Sequence, residues 1–135
     1  MIALDTNVLV RVLVEDDEDQ ARFARALLGE LTPEHLGFIC REVVVELVWV
    51  LERTYGLSRD QIATALEGLV ATEGLQVESA DDVAHAALRY RQGGIGFSDL
   101  MIAAAARRSG ATRLYTFDRK VARLEDCTLL GEPVP

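Results

Sequence analysis

Met1-Ile-Ala-Leu-Asp-Thr-Asn7 opens the chain. Four apolar residues without helical spacing run into Asp-Thr-Asn, a group that favours turns and helix caps, so the segment reads as a short buried strand ending on the carboxylate of Asp5. After the acidic run Glu15–Asp19, Ala21, Ala24, Leu27, Leu28 and Leu31 recur at steps of three and four. That spacing marks an amphipathic helix with an acidic first turn, its end weakened by Gly29. Gly37–Cys40 reads as a second strand, and Val43, Val44, Leu47, Val48 and Leu51 form the stripe of a helix that runs from Arg41 and closes before Gly56. Ser58-Arg-Asp-Gln61 is a capping box opening a third helix with Ile62, Leu66 and Leu69, followed by a strand at Leu75–Val77. Ser79-Ala-Asp-Asp82 opens a fourth helix, carrying Val83, Ala84, Ala87, Leu88 and Tyr90 and ended by Gly93-Gly94. Gly96-Phe-Ser-Asp99 is a turn into a fifth helix, Leu100 to about Ser109, capped by Gly110. Arg113–Phe117 is a strand that again ends on an aspartate, Asp118. A short helix from Arg119 and an edge strand near Thr128–Leu130 follow.

Strands joined through helices pair in parallel, and a parallel sheet has to be covered on both faces. The expected fold is therefore α/β, a three-layer arrangement with a central parallel sheet of about five short strands, as one domain over residues 1–135. Ligand sites of such folds lie beyond the carboxyl ends of the strands. Asp5 and Asp118 sit at strand ends, and Asp99 lies in a helix's first turn near the same rim, so three carboxylates distant in sequence are placed to meet.

Composition narrows the chemistry. With 135 residues, 50% of them hydrophobic, the chain is long enough to bury about two-thirds of the surface its unfolded form exposes, so neither disulfides nor a structural metal is needed. Cys40 and Cys127 are far apart, and His35 and His85 have no second ligand at metal-binding spacing, which argues against zinc and for reduced thiols. The longest apolar run, Leu100–Ala106, is far short of the ~20 residues that span a bilayer, and no basic leader precedes the first strand. A soluble, cytoplasmic protein without a membrane partner is expected.

Gathered carboxylates repel one another, and a divalent cation removes the conflict. An all-oxygen set of Asp and Glu suits Mg2+, with Mn2+ as substitute, and such a site suits phosphodiester hydrolysis. Taken singly, Asp5, Asp99 and Asp118 read equally well as turn or cap residues, and Glu46 as a solvated helix residue. Glu15–Asp19 reads as a solvated helix start.

Four segments in order, Ile2-Ala-Leu-Asp-Thr-Asn-Val-Leu-Val10, Val43-Val-Val-Glu-Leu-Val-Trp-Val-Leu51, Phe97-Ser-Asp-Leu-Met-Ile-Ala-Ala-Ala-Ala106 and Leu114-Tyr-Thr-Phe-Asp-Arg-Lys120, resemble the PIN-domain ribonucleases. The resemblance covers essentially the whole chain, and its stand-alone size is similar to the VapC-type toxins of toxin–antitoxin modules. It implies a PIN-like three-layer fold with helices on both faces of the sheet. By that resemblance Asp5, Glu46, Asp99 and Asp118 are the catalytic acids. Asp5 and Asp99 are direct metal ligands, and Glu46 and Asp118 complete the cluster directly or through water. Thr6, Asn7, Ser98 and Thr116 then orient carboxylates, waters or substrate. Glu42, one turn before Glu46, competes for the helix position, and periodicity alone does not choose. The implied activity is a Mg2+-dependent endoribonuclease whose attacking water leaves a 5'-phosphate and a 3'-hydroxyl. The implied partners are RNA, a cognate antitoxin and a second copy of the chain, with apolar helix surface at the dimer interface.

Other classes fit less well. An aspartyl-phosphate phosphohydrolase usually wants an acid two residues after its nucleophile, where this chain has Asn7. A signalling receiver needs an adjacent acidic pair right after the first strand, and Asp16-Asp17 come about ten residues too late. A catalytically silent PIN-like binding module is the non-enzymatic alternative. The net charge of -8, taken whole, argues against nucleic acid. Removing the five acids of Glu15–Asp19 and the four of the implied site, however, leaves 13 acidic against 14 basic residues, among them Arg41, Arg89, Arg107, Arg119 and Arg123, available to flank phosphates.

Overall fold

The computed structural model describes residues 1–131; residues 132–135, the end of the expected domain, lie outside it. In chain order the elements are β1 (Ile2–Ala3), α1 (Thr6–Val14), α2 (Glu18–Gly29), β2 (Gly37–Ile39), α3 (Arg41–Arg53), α4 (Arg59–Ala71), β3 (Leu75–Val77), α5 (Ala80–Arg91), α6 (Phe97–Arg108), β4 (Leu114–Thr116), a 3-10 turn (Val121–Arg123) and β5 (Cys127–Leu129). Every strand pairing is parallel, as helical connections require. Ile2 lies opposite Gly37, Phe38 opposite Gln76, and Tyr115 opposite Thr128.

The five strands are not one ladder. They hydrogen-bond as a three-stranded set in the order β1-β2-β3 and a two-stranded ribbon of β4 and β5. Length is the reason: β1 has two residues before the chain turns through Asp5 into α1, leaving little backbone on its far edge to bond. The ribbon instead joins the common core through Val121 and Cys127, with Leu114 and Leu124 packed against it.

The capping box is present as expected: Ser58 Oγ accepts from Gln61 N at 3.1 Å, and Gln61 Oε1 accepts from Ser58 N at 2.9 Å. The acidic run is a helix start only from Asp17, whose Oδ1 accepts from Gln20 N at 3.0 Å; Glu15 is the C-cap of α1, and Asp16, Asp19 and Glu15 pair with Arg11, Arg22 and Arg25. Helix α1 is absent from the sequence expectation. Its Val-rich stretch carries β-branched residues that suit a strand as well, and tertiary packing decides, burying Thr6, Leu9 and Val10 beneath α2 and α3. Gly37 has a steric role on β2: a Cβ there would stand 2.7 Å from Leu31 Cδ1 and 3.1 Å from Leu4 Cδ1. Its bare backbone lets those side chains close over the strand.

Leu9, Ile39, Leu47, Leu51, Ile62 and Leu66 are fully buried, each contributing roughly 1.5–3 kcal/mol of transfer free energy. At one side of this core Arg59, in the first turn of α4, donates to Tyr90 O at 2.9 Å and to Ile95 O at 2.6 Å. Its guanidinium stacks over the Tyr90 ring at 4.4 Å. The Tyr90 hydroxyl donates to the Glu52 carboxylate, and the ring meets Phe97 edge-on at 6.0 Å. The clamp fixes the short connection from α5 to α6, and with it the first residues of α6.

Candidate active site

Asp5 is the N-cap of α1. Its Oδ1 accepts from Thr6 N at 2.7 Å, and the side chain remains exposed at the end of β1. The next residue, Thr6, is 4% exposed, and its Oγ1 is a buried polar atom without a hydrogen-bond partner. Asn7 is exposed beside the groove between α1 and α2.

Helix α6 begins three residues earlier than the apolar pattern suggests. Gly96 is its N-cap, so Phe97, Ser98 and Asp99 are its first three residues and Asp99 sits where the helix dipole favours a negative charge. Asp99 is half-buried, its carboxylate folded back over Gly96: a Cβ on Gly96 would stand 3.2 Å from Asp99 Oδ2. Burial pushes the Asp99 carboxyl above its ordinary value, and the negative charge of Asp118 pushes it the same way. Asp118 is exposed beyond β4. Its Oδ1 accepts from Lys120 N at 2.7 Å and Val121 N at 3.1 Å, capping the 3-10 turn, while its own N–H donates to Thr116 Oγ1 at 3.0 Å. Thr116 thus orients the residue that bears on Asp99.

Glu46 and Glu42 are both exposed on α3 and both border an open groove of about 1000 Å³ between α3 and α6, which also reaches Gly96 and Ser98. The structure does not choose between them. It brings Asp99 and Asp118 into electrostatic contact, and sets Glu42 and Glu46 along a separate groove that reaches Gly96 and Ser98. Among the described residues, no three Asp, Glu, His or Cys side chains converge tightly enough to hold an ion by themselves.

The residues nonetheless fit a hard divalent cation. The donor set is all oxygen, two of its carboxylates repel each other, and Mg2+ commonly takes one or two protein carboxylates and completes its shell with water and phosphate oxygens. Arg41 is already engaged. Its guanidinium donates to Met101 O at 2.7 Å and lies 3.8 Å from Asp82, so it ties α3 to α6 and α5 while still lining the α3–α6 groove. Two positioning features escaped the sequence reading: the space over Gly96 and the Arg59 clamp. A glycine three residues before an acid, at a helix start, was the signal for the first; the second leaves no local trace.

A family model described as the PIN domain matches residues 2–126. The chain belongs to the PIN-domain family. It is also 29% identical over 126 residues to a VapC ribonuclease of Aquifex aeolicus (strain VF5), a match that covers 92% of each chain. The resemblance carried by the four sequence segments is borne out, and the α/β architecture with parallel strands is that expected of a PIN domain. Among the described residues, no helix is long and apolar enough to cross a membrane.

Proposed function

We propose that this PIN domain is a Mg2+-dependent endoribonuclease and the toxin of a toxin–antitoxin pair, acting in the cytoplasm. The observation that supports it is the placement of Asp99, half-buried in the first turn of α6 with its carboxyl raised first by burial and then by the negative charge of Asp118 beyond β4. In this reading Asp5 and Asp99 hold the cation, and Glu46 and Asp118 complete the cluster directly or through water. When bound, Mg2+ or Mn2+ supplies positive charge against the scissile phosphate and eases deprotonation of the attacking water. Water adds to phosphorus in line with the departing 3'-oxygen, so that the P–O3' bond breaks to leave a 5'-phosphate and a 3'-hydroxyl. Thr116 Oγ1 accepts from the Asp118 backbone N–H and so holds that residue, while in this reading Asn7 and Ser98, both exposed, orient water or substrate and the buried Thr6 supports the turn that carries Asp5.

The relative's printed name, a VapC ribonuclease, supports the substrate and an antitoxin partner. A homodimer is part of the proposal. Trp49 and Ile102, both exposed beside the α3–α6 groove, offer apolar helix surface for it. Incubation of purified protein with structured and unstructured RNA, in Mg2+, Mn2+ or EDTA, tests the activity. Cleavage is expected only with metal, and Asp5→Asn and Asp99→Asn should abolish it. Cleavage that survives both substitutions would refute the site. That no three acidic side chains converge among the described residues favours one second reading, a silent RNA-binding module, which would bind RNA yet cut none under any metal.

A further inference from the structure

The β4–β5 ribbon has one covered and one open face. Leu114 and Thr116 are half-buried and Cys127 is buried, whereas the alternate residues Tyr115 and Phe117 are 58% and 80% exposed. The parallel register sets Tyr115 beside Thr128, and the bond from Leu130 N to Thr116 O at 2.8 Å continues the pairing past β5. Arg113 Nε donates to Thr128 Oγ1 at 2.6 Å, which lays this cation along the same face as Tyr115. Neighbouring aromatic rings left open on one face form an apolar patch of the kind that marks a binding surface.

We infer that Tyr115 and Phe117 form a stacking platform for unpaired nucleobases of an RNA bound at the carboxylate site. The inference rests on the ribonuclease reading and deepens it by assigning two residues, Tyr115 and Phe117, to the holding of substrate bases. Phe117 immediately precedes Asp118, so its ring stands one residue from the carboxylate that bears on Asp99. Two positions along a strand are about 6.6 Å apart, a step that consecutive bases of an extended strand can follow. Charge agrees. Residues 113–123 carry Arg113, Arg119, Lys120 and Arg123 against the single acid Asp118, in a chain whose net charge is -8. Aromatic rings interleaved with cations are how proteins hold single strands, the rings taking bases and the cations taking phosphates. A duplex keeps its bases stacked within the helix and gains nothing from the rings.

The test uses the full chain carrying Asp5→Asn, so that RNA is bound and not cut, with fluorescence anisotropy of a labelled unstructured oligoadenylate and of an RNA duplex in Mg2+ buffer. Phe117→Ala and Tyr115→Ala should each weaken oligoadenylate binding roughly ten-fold while leaving duplex binding unchanged. Phe117→Leu, apolar but unable to stack, should weaken binding as Phe117→Ala does, and Phe117→Trp should retain it. Equal affinity for Phe117→Leu and the parent would overturn the platform. So would a parent dimer in sedimentation that Phe117→Ala dissociates with unchanged affinity for RNA, because a second copy would then be what covers this face. A parent that binds no RNA of either form would instead refute the ribonuclease reading, and the platform with it.

Discussion

Arg59→Met is the substitution whose cost the structure fixes most directly. It removes two charge-assisted hydrogen bonds, to Tyr90 O at 2.9 Å and Ile95 O at 2.6 Å, and a cation–π contact at 4.4 Å, while keeping most of the side chain's aliphatic bulk. Hydrogen bonds to charged donors contribute about 1.5–3 kcal/mol each, and Arg59 is only half-buried, so the lower figure applies. Adding roughly 0.5–1 kcal/mol for the cation–π contact gives a loss of about 3–4 kcal/mol. In a domain of this size that lowers Tm by roughly 10–15 °C. Urea denaturation followed by circular dichroism measures the loss. Arg22→Met is the control: its ion pair with Asp19 is as short, 2.6 Å, but lies in solvent, and its removal should change stability by no more than about 0.5 kcal/mol. Because the clamp sets the start of α6, folded Arg59→Met should also cut RNA more slowly at saturating Mg2+. A loss below about 1 kcal/mol, or one equal to that of Arg22→Met, would refute the reasoning.

Three further outcomes follow from the same geometry. Gly96→Ala should leave the fold intact yet displace the Asp99 carboxylate, which a Cβ would meet at 3.2 Å, and cleavage should fall at least ten-fold as judged by initial rates; undiminished rates would show that Asp99 has room to move. Thr6→Val replaces a buried hydroxyl that lacks a partner, so it should raise stability by up to about 1 kcal/mol in thermal melts. A loss instead would mean that the hydroxyl is bonded. Burial, the hydrogen bond to Glu52 and that carboxylate's charge hold the Tyr90 phenol protonated above its ordinary value, with Arg59 opposing. That stabilisation is complete below about pH 10, where an unfolded tyrosine titrates, and is lost as pH rises through the folded value. Urea melts above pH 10 should therefore show a decline in the parent that is shallower in Tyr90→Phe.

Much of this molecule is legible from local chemistry. The α3 stripe, the Ser58 capping box and the strands ending on Asp5 and Asp118 are each specified by residues within one turn or one strand. Helix α1 is not, because its valines satisfy two periodicities and only the packing of α2 and α3 against it selects one. The start of α6 is shifted because Gly96 caps it with backbone alone, leaving no side-chain signal to read. At the candidate site, the approach of Asp99 to Asp118 follows from the ends of secondary-structure elements. The commitment of Arg41 to Met101 and Asp82 depends on contacts 60 and 41 residues away that no pattern encodes. Glu42 and Glu46 share a helix face and a groove, so neither periodicity nor position separates them.

The separation of the strands into a three-stranded set and the β4–β5 ribbon also divides the molecule's cooperativity. Among the described residues no backbone hydrogen bond joins the β4–β5 ribbon to the three-stranded set, so the ribbon can open at a free energy below that of global unfolding. Amide exchange at Leu114–Thr116 should then report a local opening, separate from the slow exchange at Ile39 and Val77. Asp118 travels with that ribbon and Asp5 with the sheet. A ligand that touched both Asp118 and Asp5 would therefore favour the closed form of the ribbon.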